Sequence, residues 1–460
     1  MNRAIRGHIV VVEAQAPVRR DAVVVIDGDG ITAVRDAVPA DGGPVYDVLI
    51  PGLIDAHSHA RGVALSCHGI GDGPLERFLV ELTALTPLDP RDEALVAADG
   101  ALRSGITAVQ IIHHSFGGPA EYSDQARAIA DGYAEAGVRA FIALALTDQD
   151  EYAPWPEGGS VPGAPQPQRG VSPEAFPALA DALLGSSEFV EVDAVGPVAP
   201  QWCSDIALSA IADSGAHRLH AHLLESARQR LPAGVDQVQR LDDALLLRKE
   251  SSFAHGVWLD DQQIERVAAA GSVIVHCPGS NTRLGVGSCR VRRLLDSGVE
   301  VALGLDSHGA LDEPDMFAEM RRALTVAAEA DAPLTAAEVL RMATKGGARA
   351  LCRPGFGTLR PGTCADVIAL DLPDVRRADD PVAHVIAHAD AGSVTARWVD
   401  GRRVEPLAAA AAARKRLQAR LEEDSPARGQ RLAAARRAWH AIDAAWRELE
   451  SREEVVTWRR

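Results

Sequence analysis

From Leu53 onward, short apolar runs alternate with longer segments whose apolar residues recur at helical spacing. The runs predict eight strands: Leu53–His59, Ile106–His114, Val138–Thr147, Phe189–Val195, Arg218–Leu223, Ser252–His255, Ser272–His276 and Val299–Asp306. Helical segments such as Ser123–Ala136, Ala207–Asp213 and Asp260–Ala270 separate them. This repeating order predicts an α/β fold, a closed (β/α)8 TIM-type barrel rather than an open doubly wound sheet.

The two chain ends follow a different rhythm. His8–Val12, Ala22–Ile26 and Gly30–Val34 are short β-type runs parted by turn residues such as Asp27-Gly-Asp-Gly30, and they predict a small antiparallel sheet. After a helix at Thr335–Leu351, the stretches Gly355–Leu370 and Val394–Val404 return to strands and turns. The expected organisation is residues 1–52 as the first part of a small β-sandwich, 53–354 as the barrel, 355–405 as the second part of the sandwich, and 406–460 as an Ala/Arg/Glu-rich helical tail. Pro and Gly crowd residues 151–172. Helix and central strand are excluded there, which leaves a lid, a wall or a floppy insertion at the barrel mouth.

Polar clusters interrupt the apolar pattern at recurring places. Asp55-Ala-His57-Ser-His59, His220-Ala-His222-Leu-Leu-Glu225, Phe253-Ala-His255-Gly256 and Leu303-Gly-Leu-Asp306-Ser-His308 each close an apolar strand at its C-terminal end. Barrels of this type build their sites at that end. Buried imidazoles and carboxylates are costly unless paired, and one divalent metal would pair with most of these at once. Residues two apart in a strand share a face, so His57 with His59 and His220 with His222 each aim two rings at one point. His220 is expected to be a core histidine or to support a neighbour. Glu225 read alone would also suit a helix N-terminus, whereas Asp306 needs a cation or several donors.

Composition narrows the partners. The chain has 460 residues, 47% apolar and 24% charged, an ordinary globular balance. A net charge of -17 without a long basic block speaks against nucleic acid and against an anionic membrane. The N-terminal apolar run Ile9–Val12 is too short for a signal sequence or a membrane span. The six cysteines form no CxxC pair and fit a reducing cytoplasm, the expected location.

Taken together, Pro51-Gly-Leu-Ile-Asp-Ala-His-Ser-His59, His222-Leu-Leu-Glu225, Ala254-His-Gly256, His276-Cys-Pro-Gly-Ser-Asn281, Leu303-Gly-Leu-Asp306 with Asp315-Met-Phe317, and Gly357-Thr-Leu-Arg-Pro-Gly-Thr-Cys-Ala-Asp366 resemble the amidohydrolase superfamily. The resemblance points to its mononuclear aminohydrolase branch, which holds cytosine, guanine, adenosine-type and pterin deaminases and triazine hydrolases. It implies that His57, His59, His222 and Asp306 bind one divalent metal, zinc first, with Fe2+ or Mn2+ able to use the same set. It also implies catalytic roles. Asp306 would take the proton of a metal-activated water, His255 would orient that water, and Glu225 would protonate a ring nitrogen and the leaving amine. The implied reaction is hydrolytic deamination of an amino-substituted nitrogen heterocycle or an amidine-like C–N bond. Cyclic amide hydrolysis and dechlorination by the same metal site are alternatives, and a non-catalytic metal-binding scaffold is a remote one. The partner would be a small molecule, with a homodimer as one option for assembly. Binuclear relatives use a bridging lysine near strand four, and no lysine precedes Lys249, so one metal is expected.

One departure bears on substrate. Family deaminases commonly carry Gly-Pro-His-Ala-Pro-Tyr after strand four, and this chain reads Gly196-Pro-Val-Ala-Pro-Gln201-Trp-Cys-Ser204. Val198 replaces the histidine that touches substrate, which puts a common purine or pyrimidine in question. Arg61, His114, Gln201 and Trp202 are the candidate substrate contacts. Arg61 would grip a carbonyl or carboxylate, Trp202 and Trp155 would stack on a planar ring, and one of His113 and His114 should face inward by alternation. His68 lies in the first loop, His308 is a candidate support beside Asp306, and His276 is expected to support the site by hydrogen bonding.

Overall fold

The computed structural model describes residues 3–115, 117–151, 170–230, 235–306 and 314–452. Trp155, His308 and most of segment 151–172 lie outside them. Strands β1 (Arg3–Val10), β2 (Arg19–Asp27), β3 (Gly30–Asp36) and β4 (Val45–Pro51) come first. The barrel strands follow: β5 (Leu53–Ser58), β6 (Ile106–His113), β7 (Arg139–Leu146), β9 (Val190–Pro197), β10 (Arg218–Leu223), β11 (Ser251–His255), β12 (Val273–His276) and β13 (Glu300–Leu303). A two-residue strand, β8 (Gly185–Ser186), pairs antiparallel with β9. Strands β14 (Val367–Leu370), β15 (Val394–Val399) and β16 (Arg402–Arg403) close the order.

Neighbouring barrel strands are parallel from β5 round to β13. The seam between the last and first strands is joined at the mouth. The Asp306 N–H donates to the His57 carbonyl at 2.9 Å, and the Leu305 N–H to Asp55 Oδ1 at 2.9 Å. Strands β5, β6, β10 and β11 are buried along their whole length, as expected of parallel strands covered on both faces. Polar residues inside the barrel are paired. Arg218, fully buried, donates to both oxygens of Asp193, to Gln110 Oε1 at 2.6 Å and to the Ala350 carbonyl.

The second unit is one hydrogen-bonded sheet in the order β16-β15-β14-β4-β1-β2-β3. It packs on its own core of Ile5, Val24, Leu49, Val367 and Trp398. The antiparallel expectation is corrected at one place, because β1 pairs with β4 in parallel. Strand β4 runs straight into β5, so it enters the sheet between β1 and β14 rather than hairpinning onto β3.

Two tail helices end the chain. Ala408–Glu423 packs on helix Pro90–Arg103, with Arg416 bonded to both oxygens of Asp92. Ser425–Arg452 packs on helix Leu75–Leu82. Among the described residues, no helix is long and apolar enough to cross a membrane.

Candidate active site

Strand ends deliver the site, and each delivery uses a left-handed residue. Ala60 (φ 56°), Leu224 (φ 46°), His255 (φ 72°) and Asp306 (φ 55°) sit where β5, β10, β11 and β13 break from the ladder. Such residues cost about 1–3 kcal/mol each outside glycine, so the surrounding packing holds them there. A close approach fixes the last of these strand ends. A Cβ on Gly304 would lie 2.8 Å from the Cβ of His57, so only glycine lets Asp306 reach it.

His57, His59, His222 and Asp306 converge, with one ligand atom from each lying within 4.8 Å of all the others. Asp306 Oδ1 is 3.3 Å from His57 Nε2 and 3.2 Å from His59 Nε2. His222 Nε2 is 3.3 Å from His59 Nε2. The outer nitrogens are engaged elsewhere: His57 Nδ1 meets His220 Nε2 at 2.9 Å, and His222 Nδ1 meets the Val198 carbonyl at 2.7 Å. His57 Nε2 is buried and has no hydrogen-bond partner. Burial lowers the His57 pKa to about 4 and holds His222 well below its usual value, so both rings are neutral at pH 7. Burial opposes ionisation of Asp306, but the neighbouring His57 and His59 rings outweigh it and hold the carboxyl well below its usual range. Neutral imidazoles, a carboxylate and an orphaned ring nitrogen fit a divalent cation.

Two further groups complete the mouth. Glu225 is buried, which together with the Asp306 and Glu76 charges pushes its carboxyl well above the usual range. Its Oε2 lies 3.7 Å from His255 Nε2. The His255 ring stacks near His222, with centroids 5.5 Å apart, and its Nδ1 meets Asn281 Oδ1 at 3.0 Å.

Residues 48–404 match the model of the amidohydrolase family. The chain belongs to that family. Two relatives are similar over most of their length. A 5-methylthioadenosine/S-adenosylhomocysteine deaminase of Haloarcula marismortui is 31% identical over 82% of this chain and 86% of its own. A 5'-deoxyadenosine deaminase of Methanothermobacter thermautotrophicus is 30% identical over 84% and 89%. The crystal structure of an adenosine deaminase from Xanthomonas campestris with bound zinc superposes with a TM-score of 0.77, at 25% identity, over 91% of this chain and 98% of that one.

The other expected contacts fall into place unevenly in this amidohydrolase. His114 is the inward member of its pair, with its ring 6.0 Å from His59 and burial holding it well below its usual pKa. His113 turns away and bonds the Tyr122 carbonyl at 3.1 Å. Arg61 lies close enough to act on the charges of His114, His68 and Glu93. His68 accepts from the Thr86 N–H. Both amide atoms of Gln201 are buried without a partner. Trp202 packs with Ile112, Ala145, Val198 and Ala199. Val198, lacking a histidine side chain, still serves through its carbonyl.

Several supporting residues were not singled out from the sequence. Ser280 donates to Asp306 Oδ2 at 2.6 Å, and Asn281 holds His255. His276 Nδ1 is buried without a partner, and the His276 carbonyl accepts from the Gly304 N–H at 3.0 Å. Gln110 and Ser252 surround His220. The signal was available for Gln110, a polar amide in the middle of the mostly apolar run Ile106–His113.

Proposed function

We propose that this amidohydrolase deaminates an amino-substituted nitrogen heterocycle by hydrolysis, releasing ammonia and leaving a carbonyl where the amine stood. The carrying observation is that the three-histidine, one-aspartate set and the buried Glu225 carboxyl meet at one mouth. The deaminase relatives support this reading, and 5'-substituted adenosines are candidate substrates to test despite the loss of the histidine at Val198.

His57, His59, His222 and Asp306 would hold one divalent cation, zinc being favoured by the zinc-bound structural neighbour. When bound, such a cation lowers the pKa of a water to about 7 and polarises the substrate. Asp306, pinned through Oδ2 by Ser280, accepts the proton that the attacking water gives up. His255 has its Nδ1–H committed to Asn281, so its Nε2 carries a lone pair that orients the water. Burial, with the Asp306 and Glu76 charges, pushes the Glu225 carboxyl well above its usual range and so favours the acid form. Glu225 donates its proton to the ring nitrogen as the neighbouring carbon is attacked, takes the proton the new C–OH releases on becoming the carbonyl, and passes it to the departing amine, while the proton held by Asp306 is returned to restore the acid form of Glu225. Gln201 would read the heterocycle edge. Two buried, unpartnered amide atoms are costly, and a substrate bonding both would offset that cost. All six cysteines are free, which supports a cytoplasmic setting.

The test is ammonia release from a panel of amino-heterocycles and adenosine derivatives, using metal-loaded protein with Glu225→Gln as the control. Ammonia from the native enzyme and none from the control supports the reading. No ammonia from either, with metal bound stoichiometrically, overturns it in favour of cyclic amides or chloro-heterocycles.

A further inference from the structure

The helical tail lies outside the matched residues 48–404, yet it reaches the segment that carries Glu225. Helix Ser425–Arg452 buries Leu432, Ile442 and Trp446 against Leu65, Ile70 and Val80 of the loop and helix after β5. Its polar side bonds Gly69, Glu81, Leu85 and Thr86 in the same segment, and it also grips one residue beyond β10. Arg228, three positions beyond Glu225, donates through Nε to Glu450 at 2.8 Å and through Nη2 to Asp443 at 2.9 Å. Its guanidinium lies over the rings of Trp439 and Trp446, 5.7 and 5.4 Å from their centroids. All four partners belong to the tail helix.

The same short turn is tied on its inner side. The Ser226 hydroxyl donates to Glu76 Oε1 at 2.5 Å, and Glu76 belongs to the helix on which the tail packs. The Glu225 N–H donates to Gln229 Oε1 at 2.6 Å. Arg228 also lies 3.9 Å from Glu76, so tail, helix and turn share one charge cluster. The turn needs holding. Leu224 sits at a left-handed φ of 46°, and Glu225 is a carboxyl out of water. Both favour a turn that opens toward solvent. A guanidinium bonded to two carboxylates and flanked by two indoles resists that opening.

We propose that the C-terminal helix is a clamp on the proton-transfer segment, with Arg228 as the positioning residue that transmits its hold to Glu225. The proposal rests on the reading of Glu225 as the proton donor. Loosening the clamp lets the turn move outward, and a displacement of the carboxyl on the order of 1 Å is enough to slow proton transfer while leaving the metal ligands in place.

The experiment compares full-length, metal-loaded native enzyme with Arg228→Ala, Arg228→Lys, the pair Asp443→Asn with Glu450→Gln, and Arg228→Ala combined with that pair. Hydrogen–deuterium exchange of residues 223–230 is read beside kcat, KM and metal content. Arg228→Ala and the tail pair should each speed exchange in this segment and lower kcat about 10- to 100-fold. KM should stay within about twofold and metal content should not change. The combined variant should be no worse than Arg228→Ala, since both break one coupling, and Arg228→Lys should recover part of kcat. Unchanged exchange in Arg228→Ala and the tail pair, or losses that multiply in the combined variant, would overturn the clamp. The isosteric tail pair keeps the test readable if Arg228→Ala fails to fold. Exchange also decides the matter without turnover, so faster exchange in an enzyme that releases no ammonia would sink the deaminase reading and leave the clamp standing.

Discussion

His57 Nδ1 lies 2.9 Å from His220 Nε2, and this contact decides which nitrogen of His57 faces the site. His220 Nδ1 meets the Ser252 carbonyl at 3.2 Å and its hydroxyl at 2.9 Å, so that nitrogen carries the hydrogen. His220 Nε2 then accepts from His57 Nδ1–H, and the unpartnered His57 Nε2 keeps its lone pair for a cation. Gln110 packs beside the pair. Its Oε1 accepts from buried Arg218, and its Nε2 donates to the Ala56 carbonyl and to Ser252 and lies 2.9 Å from His220 Nδ1. His220→Ala removes the acceptor that fixes this tautomer. Metal affinity, measured by chelator competition, should fall about 10- to 100-fold; an unchanged affinity would show that His57 is oriented by other means.

Glu225→Gln keeps the shape of the side chain and removes its transferable proton. The expected loss in kcat is about 10²- to 10⁴-fold, with metal content equal to that of the native enzyme. Full activity in this variant would remove Glu225 from the mechanism.

The pH profile carries the same claim with a sign. Burial raises the Glu225 carboxyl well above its usual range, and the acid form is the one that donates. Activity should therefore fall as pH rises through that raised value. A profile of log kcat lacking an alkaline limb would contradict the assignment.

Glu319 supports the site from behind and makes folding pH-dependent. Its Oε1 accepts from the Gly279 N–H at 2.7 Å, at the start of the helix bearing Ser280 and Asn281, and burial raises its pKa to about 7 from an ordinary 4.5. Between those values the unfolded chain has released the proton and the folded chain has not, so stability falls as pH rises across the window, by about 3 kcal/mol at most. Glu319→Gln escapes that loss. In urea unfolding it should gain on the native protein between pH 5 and pH 8, and a difference that stays constant with pH would refute this.

Gly304→Ala tests the close approach at the barrel seam. The new methyl would sit 2.8 Å from His57 Cβ and 2.9 Å from Val275 Cγ1. Overpacking of this kind costs about 1–3 kcal/mol, and here it also displaces a metal-facing histidine. A variant with native melting temperature and native metal content would show that the seam yields freely.

Much of this was legible in the chain because polarity at a strand end is a strong anomaly. His57, His59, His222, Glu225, His255 and Asp306 all interrupt apolar runs, and the fold gathers them at one mouth. What local pattern could not show is which distant residue answers each of them. The run Val299–Asp306 reads as one strand, yet β13 ends at Leu303, because Gly304 packs on His57 and the Leu305 N–H turns to Asp55. The parallel β1–β4 pair was hidden for a similar reason, since it joins strands that are not neighbours in sequence. Trp439 and Trp446 read as ordinary helix positions, and the arginine they flank is paired with a glutamate 222 positions away.

The most direct test of the whole account is a titration of metal-free protein with zinc while ammonia release from a turned-over amino-heterocycle is followed. Activity should rise linearly to one equivalent and then stay flat, and His222→Ala should show no such rise. Activity that persists without metal, or that keeps rising to two equivalents, would contradict a single cation held by His57, His59, His222 and Asp306.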